Sequence, residues 1–446
     1  MKPYKPQPFK LPLSIDIDHM YLTNIKIGHT DKNIDTDIKY ISINGWIYPK
    51  NINIKLQTEI TKPHDLSATI TANGSLNHYV IHADIKNKIF EVVAHGEGNQ
   101  DGIKITIPKS HLLKGTLQGL LNVSWYPQIN WDIQANIDKV HPRRFAKSLP
   151  RSMTLDINSK GKIDKTNPIF DFSLKAKANK STIDLEAHHH AQWHLKWAVN
   201  IPDLSNFDSQ AAGILKTSGQ LKGKQLLLPQ TNGMLRAEKL HYHDIDIGNI
   251  KSNWDIFFDA KTLSKLNLVI SKINYNEHKL DVIHFNAFGH LLKHDMTTKL
   301  DIGKHSILMN TKAHYNGETW TGSVTKFLSE NNAFGNWHLR KAANFEISPT
   351  KSFLNPLCLD SNTGAFLCIQ GHWEQGKPWN FDATSKNFSF INLEKRAMIN
   401  TQFTSKISMH AHVSGNGNEL DFANVKLNID PGMLTYLLND KVINTS

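Results

Sequence analysis

Apolar and polar residues alternate with a period of two over most of the chain. The alternation is without a fault at residues 51–57 and 102–107. Because successive side chains of a β-strand point to opposite faces, each such segment predicts a strand with one apolar and one polar face. The same positions on a helix would be spread around its circumference, so the pattern argues against helices. The alternation returns at residues 14–18, 131–137, 153–158, 170–177, 182–187, 280–282 and 425–429.

Turn-forming residues separate these segments along the whole chain. Asn and Gly accept the backbone conformations that tight hairpins need, and the spacing of about 8–12 residues between turns is typical of an antiparallel meander. Only 143–149 and 392–398 are predicted to form short helices. The predicted turns lie at residues 72–74, 99–102, 231–233, 315–317 and 414–417.

The chain shows a loose internal repeat and no linker. Residues 115–123 resemble residues 213–223, and no tract of Pro, Gly or Ser interrupts the strands. Repetition without a fixed period indicates an elongated sheet in which each hairpin packs on its neighbours. We therefore predict an all-β fold with one continuous repeat region over residues 1–446 and no clear globular boundaries. A cysteine-bracketed hairpin at residues 350–375 lies within it.

Composition excludes several other classes of protein. The chain has 446 residues, of which 39% are hydrophobic, and a formal net charge of +11. Its apolar residues are too regularly distributed for a disordered protein, and no apolar run approaches the ~20 residues of a membrane-spanning helix. Residues 1–9 lack the apolar core of a secretion signal. As written, the chain is expected to carry neither a signal nor an anchor.

Histidine is abundant, with 24 residues, and the run 188–190 with His194 is the strongest candidate for a metal site. In a strand, however, adjacent side chains point to opposite faces, so three consecutive histidines do not converge. His241 and His243 share a face but lack an evident third ligand there. We predict no metal and no other cofactor.

Neither catalysis nor nucleic-acid binding is indicated. The chain has no nucleophile elbow, zinc-protease motif, phosphate-binding loop or dinucleotide fingerprint. Carboxylate pairs such as Asp16 and Asp18 lie on polar strand faces, and an enzyme such as a polysaccharide lyase would need a clustered acid and base. Lysines are scattered singly, and the one basic cluster, residues 141–147, is short. We predict a protein that is not an enzyme and has no nucleic-acid partner.

The two cysteines, Cys358 and Cys368, flank a predicted turn at residues 361–364. A hairpin there brings the thiols within reach of a disulfide. A disulfide would indicate an oxidising compartment such as the bacterial periplasm. Two unpaired, buried thiols are the alternative.

Short motifs in the second half of the chain follow one another in a distinctive order. They are W-x-G at 320–322, G-x-W-x-L at 335–339, the cysteine pair, and G-x-W at 371–373. This order resembles that of the TamB family, the inner-membrane-anchored subunits of the translocation and assembly module, which belong to the AsmA-like group. The resemblance covers nearly the whole chain, with further similar segments at 11–15, 22–25, 115–123, 125–131, 201–205, 213–223 and 228–229.

The resemblance implies a long sheet curled into an open, U-shaped trough, or β-taco, with an apolar concave face. Such a protein spans the periplasm, carries phospholipid acyl chains between the inner and outer membranes, and supports assembly and secretion of outer-membrane proteins such as autotransporters. Family members are longer, with an N-terminal membrane anchor and a C-terminal domain that engages a TamA-like outer-membrane barrel. We therefore expect an internal fragment, whose membrane association belongs to the full-length protein.

The alternation assigns a set of apolar residues to one face, and on the resemblance these residues line a lipid groove. An ordinary filled sandwich core is the alternative for the same residues. For function, the alternative is a chaperone-like scaffold that binds unfolded β-strands at a sheet edge. The assigned residues are Ile52, Ile54, Leu56, Ile103, Ile105, Ile107, Ile133, Ile137, Leu155, Ile157, Ile183 and Leu185.

Overall fold

The structure is a computed structural model whose elements are β-strands and two short 3₁₀ helices, with no α-helix in the ranges that it describes. Nothing in those ranges forms a helix long and apolar enough to cross a membrane. The described residues are 14–27, 36–48, 50–62, 65–144, 149–164, 167–224, 230–259, 261–290, 292–331, 335–389, 401–403, 405–432, 434–438 and 441–445.

The chain divides into two compact units, residues 1–229 and 230–446. The first unit contains fourteen described strands and the 3₁₀ helices Pro142–Arg144 and Leu204–Asn206. Its strands are β1 (Ile15–Ile27), β2 (Thr36–Tyr48), β3 (Asn51–Lys62), β4 (Leu66–Ser75), β5 (His78–Lys86), β6 (Phe90–Asn99), β7 (Gly102–Leu112), β8 (Gly115–Ser124), β9 (Asn130–Val140), β10 (Met153–Asp164), β11 (Asn167–Ala178), β12 (Ser181–His189), β13 (Trp193–Ile201) and β14 (Ala211–Gly223).

Within the first unit, each strand pairs antiparallel with the next one, from β1 through β14. Among the described residues, a strand packs closely only against the strands that it pairs with, apart from the second 3₁₀ helix, which lies on β14. The described strands of this unit therefore form a meander of neighbouring hairpins.

The second unit continues with strands β15 to β31. Their bounds are β15 (Gln230–Tyr242), β16 (Ile245–Phe257), β17 (Ser264–Tyr275), β18 (His278–His290), β19 (Lys293–Ile302), β20 (His305–Tyr315), β21 (Trp320–Glu330), β22 (Trp337–Leu339), β23 (Ala343–Ile347), β24 (Lys351–Ser361), β25 (Phe366–Glu374), β26 (Pro378–Ser389), β27 (Thr401–Phe403), β28 (Lys406–Asn416), β29 (Glu419–Ile429), β30 (Leu434–Leu438) and β31 (Lys441–Thr445).

Strands β15 to β21 of this unit pair antiparallel in succession. The short strands β22 and β23 share one position, because both lie between β21 and β24. Beyond them the order is β24, β25, β26, β28 and β29, while β27, β30 and β31 form a separate three-stranded sheet.

The predicted all-β antiparallel meander is confirmed in both units. The predicted turn at residues 231–233 is wrong, because Gly233 lies inside β15 opposite Trp254 and leaves room for its ring. The turn predicted at 72–74 is placed too early, since these residues lie within β4 and the turn follows at 76–77. Of the two short helices, 392–398 lies outside the described residues, and the other is seen only as the 3₁₀ turn at Pro142–Arg144.

Candidate functional site

The strand register of the first unit places all twelve predicted groove residues on one face. Directly paired residues in adjacent strands project from the same side of a sheet. Leu121 on β8 pairs with Ile105 on one side and with Ile133 on the other. Direct pairing of this kind links the apolar positions of every strand from β3 to β12. The twelve residues therefore form one apolar face on this unit.

This apolar face is not filled in like the core of a sandwich. Ile52 is 8% exposed, whereas the other eleven predicted residues are half-buried. In a two-layer sandwich the facing sheet would bury such side chains almost completely. The half-buried side chains of the first unit therefore stay accessible on this face.

One end of the apolar face carries a row of paired residues that is rich in aromatic rings and glycines. Tyr79 lies over Gly98, and Trp131 and Phe170 lie over Gly161 from its two sides. A Cβ atom on Gly161 would come within 2.4 Å of the Trp131 ring, so only glycine leaves room for it. The row crosses ten strands through Tyr79, Gly98, Ile103, Val123, Trp131, Gly161, Phe170, His189, Trp193 and Gly223.

Three tryptophans on the apolar faces follow one local rule. Each pairs with a glycine on the adjacent strand, and its indole N–H points toward the Ser or Thr hydroxyl two residues before that glycine. In the first unit, Trp131 donates to Ser159 Oγ at 3.0 Å. Because the only polar atom of each indole is engaged along the sheet, the exposed part of the ring is hydrocarbon. The sets are Trp131 with Ser159 and Gly161, Trp197 with Thr217 and Gly219, and Trp254 with Thr231 and Gly233.

The second unit has an apolar face of the same kind, with a groove of about 710 Å³ over strands β23 to β26. Its most exposed apolar walls are Ile347, 50% exposed, and Phe381, 41% exposed. Phe345, Leu354, Trp373 and Trp379 are among the other apolar residues that line it. The sequence did not predict this groove.

Beside the groove, the other half of the same strands is packed. Trp337, Leu359 and Ala365 are 6%, 7% and 3% exposed and form a cluster that Leu367 and Phe388 cover. The rings of Trp337 and Phe388 are stacked, with centroids 5.3 Å apart. The apolar face of β24 to β26 is thus closed at one end of the strands and open at the other.

Cys358 and Cys368 form a disulfide on the sheet face opposite to this packed cluster. They are direct cross-strand partners in β24 and β25, with Cα atoms 4.1 Å apart. Arg340 forms an ion pair with Asp360 in the same hairpin, with its Nε donating to Oδ2 at 2.8 Å. That hydrogen bond lowers the pKa of Asp360 below its usual range. The disulfide crosslinks the two strands of the hairpin, and the ion pair joins β24 to the segment that follows β22.

The histidines of 188–190 separate to the two faces. His189 lies on the apolar face beside Trp193, whereas His188 and His190 both contact Asp171 Oδ1, at 2.6 and 3.0 Å. Hydrogen bonds from His188 and then His190 lower the pKa of Asp171. Within the described ranges, no three His, Cys, Asp or Glu side chains are placed to hold a metal ion.

Other candidates from the sequence have structural partners. His241 contacts Asp246 at 2.8 Å on the polar face, and His243 lies in a tight turn with φ of 52°. In the basic cluster, Arg143 donates to the carbonyl oxygens of Leu149 and Asn206, at 2.8 and 2.9 Å. Arg143 therefore ties two loops of the first unit together.

More than half of the chain is similar to a known family. Residues 167–445 match the family model described as TamB, N-terminal domain. This chain belongs to the TamB family. The TamB resemblance of the sequence motifs is thereby confirmed.

A curated TamB relative is the translocation and assembly module subunit TamB of Haemophilus influenzae. It is 22% identical to this chain over 422 residues, which cover 81% of this chain and 32% of that protein. The chain thus spans about a third of the length of this TamB relative. No solved structure matches the chain.

Proposed function

We propose that this chain is a section of a TamB bridge that carries phospholipid acyl chains along its apolar faces and performs no catalysis. The observation that carries the proposal is the continuous apolar face of the first unit, on which eleven of the twelve aligned residues are only half-buried. Burying hydrocarbon gains about 0.8 kcal/mol per methylene, so two chains of about sixteen carbons gain on the order of 20 kcal/mol over exposure to water.

The repetitive form of the face favours movement along it. Adjacent strands present aliphatic side chains at the same level of this face, for example where Ile54 pairs with Ala72 and Leu56 pairs with Ile70, so a chain that shifts by one strand exchanges one set of aliphatic contacts for another. Small differences between neighbouring positions mean low barriers to sliding. A protein that conducts lipid needs low barriers between neighbouring positions, whereas a receptor needs one position of much lower binding free energy than the rest.

The role of the whole protein is proposed from the family and from the relative's name. We place the full-length protein in a translocation and assembly module, anchored in the inner membrane and extending into the periplasm. There it would work with a TamA-like outer-membrane barrel to support outer-membrane protein assembly, including that of autotransporters. The disulfide in the second unit is compatible with an oxidising compartment.

Lipid transfer is tested by a pair of adjacent substitutions on β9. Ile133→Asp puts a charge on the apolar face, whereas Gln134→Asp puts the same charge on the exposed polar face. We expect Ile133→Asp to abolish most phospholipid transfer between donor and acceptor vesicles and Gln134→Asp to leave it unchanged. Equal transfer by both variants would contradict the assignment of the face.

A second function is favoured by one strand of the second unit. Among the described strands, β29 pairs only with β28, and Val425 and Leu427 on its apolar side are 61% and 53% exposed. A free strand edge can bind an unfolded β-strand of a client protein by adding it to the sheet. Crosslinks from β29 to a client strand, without bound lipid on the apolar faces, would favour this alternative.

A further inference from the structure

Two histidines face each other on the polar face of the first unit. His82 on β5 is the direct cross-strand partner of His95 on β6. The residue before His82 is Ile81, which belongs to the apolar face through Gly96 and Ile105, so the histidines project from the opposite side of the sheet. Their Nδ1 atoms are 3.1 Å apart, and their ring centroids are 4.9 Å apart. Both residues are exposed, so dissolved ions reach the two rings.

The separation of the two nitrogens suits a shared metal ion. Zinc binds an imidazole nitrogen at about 2.0–2.1 Å. With bonds of that length, the two nitrogens lie about 2.9 Å apart at a right angle and about 3.3 Å apart at the tetrahedral angle. The 3.1 Å between His82 and His95 falls inside this interval, so one ion can bond to both rings with little movement of either strand. In the absence of an ion, the same distance fits a hydrogen bond from one ring to the other.

A carboxylate flanks the histidine pair on each strand. Asp84 follows His82 by two residues and Glu97 follows His95 by two, so both share the face of the pair and lie in the rows on either side of it. Within the described part of the chain neither carboxylate is in an ion pair, although Lys104 on β7 is the direct partner of Glu97. Asp84 Oδ1 is buried and has no hydrogen-bond partner among the described residues. A buried carboxylate oxygen left in this way costs free energy, which a cation nearby offsets.

We propose that His82 and His95 bind one divalent transition-metal ion through their Nδ1 atoms, with Asp84 as the nearby carboxylate and water in the remaining positions. Imidazole suits Zn²⁺, Cu²⁺ and Ni²⁺, whereas Mg²⁺ and Ca²⁺ take oxygen ligands. Because no three side chains of the described residues are already placed around an ion, the bound ion is exchangeable. It bridges β5 and β6 on the face opposite to the proposed lipid path, so the site does not rest on the proposed function.

This site departs from the prediction of no metal. That prediction rested on histidines that are close together in the sequence, at 188–194 and 241–243. His82 and His95 are thirteen residues apart, and the register of β5 and β6 brings them together.

Hydrogen exchange of the full chain, with and without Zn²⁺, tests the site. An ion that binds only the closed hairpin slows exchange by a factor of one plus the ratio of free ion to Kd, which is about 100-fold at 100 times Kd. We expect this slowing in the amides of β5 and β6, with more slowing by Cu²⁺ at the same free concentration and none by Mg²⁺. His82→Gln and His95→Gln should each remove most of the slowing. Because each variant is compared with itself without the ion, a change in the stability of the hairpin does not imitate binding.

His78 provides a matched control on the same strand and the same face, where it is exposed and paired with Ser75 instead of a histidine. His78→Gln should leave the Zn²⁺ effect unchanged, and Asp84→Asn should weaken Zn²⁺ binding several-fold. Unchanged binding in Asp84→Asn overturns the role of that carboxylate. Equal slowing in wild type and His95→Gln, equal slowing by Mg²⁺, or no slowing of β5 and β6 at any Zn²⁺ concentration overturns the site. A Zn²⁺ effect confined to β11 and β12, where His188 contacts Asp171, also overturns it.

Discussion

Gly98→Ala tests whether the aromatic–glycine pairs hold neighbouring strands together. A Cβ atom added at Gly98 would lie 2.5 to 2.6 Å from two ring carbons and the hydroxyl oxygen of Tyr79, which are its three nearest neighbours. Carbon atoms in contact lie about 3.5–4.0 Å apart, so the ring has to move by roughly 1 Å. That movement also disturbs the hydrogen bond from the Tyr79 hydroxyl to Asn99 O, at 3.3 Å.

Overpacking of this kind typically costs about 1–3 kcal/mol. Global unfolding is a poor measure of it, because long repetitive arrays lose cooperativity between distant parts. Hydrogen exchange of the amides of β5 and β6 measures the local opening free energy directly. We expect these amides to exchange about 5- to 150-fold faster in Gly98→Ala, while the amides of the second unit remain unchanged.

Two further variants provide a matched control and a double-mutant cycle. Gly96 lies on the same strand and the same face, but a Cβ atom there is no closer than 3.3 Å to Ile81, so Gly96→Ala should cost much less. Removing the ring with Tyr79→Leu should make Gly98→Ala nearly neutral. If Gly98→Ala costs as much in the Tyr79→Leu background as alone, the ring is not the cause and the explanation is wrong.

Two other predictions concern the cysteine hairpin. Replacing Cys358 and Cys368 by serine removes a crosslink between residues ten apart and should lower local stability by about 2.7 kcal/mol, measured by hydrogen exchange of β24 and β25. A loss below about 0.5 kcal/mol would contradict this loop-closure estimate. Because Arg340 lowers the pKa of Asp360 below its ordinary value of 3.8, their pair stabilises the fold above that pH and stops doing so as the pH falls through the lowered pKa. The difference in local opening free energy of β24 between wild type and Asp360→Asn, measured by hydrogen exchange, should therefore be constant near neutral pH and shrink below about pH 4, and a pH-independent difference would refute the assignment.

The strands and their apolar faces were predictable because alternation is a local property of the sequence. Ile103 and Ile105 share a face whatever their partners are. The hairpin of Cys358 and Cys368 was also predictable, since a short turn fixes the register of the two strands that it joins. Each of these features depends on residues close together in the chain.

The features that sequence alone did not indicate depend on register between strands. Trp131, Ser159 and Gly161 form one unit only because β9 pairs with β10 in a particular alignment. Thr231–Asn232–Gly233 was predicted as a turn because the pairing of Gly233 with Trp254 is not visible in the sequence. Once this arrangement is known, a Ser/Thr-x-Gly pattern can be searched for opposite a tryptophan. The contrast between Phe381 in an open groove and Phe388 in a packed cluster depends on side chains that arrive from six strands, so the alternation of β26 does not separate them.

An open sheet faces a stability problem that the aromatic–glycine pairs address. A face that stays available to a ligand has no second layer to bury it, so cohesion has to come from contacts between adjacent strands. A ring lying over a glycine on the next strand buries apolar area of both strands without raising a ridge above the sheet. Where the ring is the indole of Trp131, Ser159 also takes up its one polar atom. The arrangement that stabilises neighbouring strands therefore also produces a flat apolar surface, and a substitution that weakens one of these properties is expected to weaken the other.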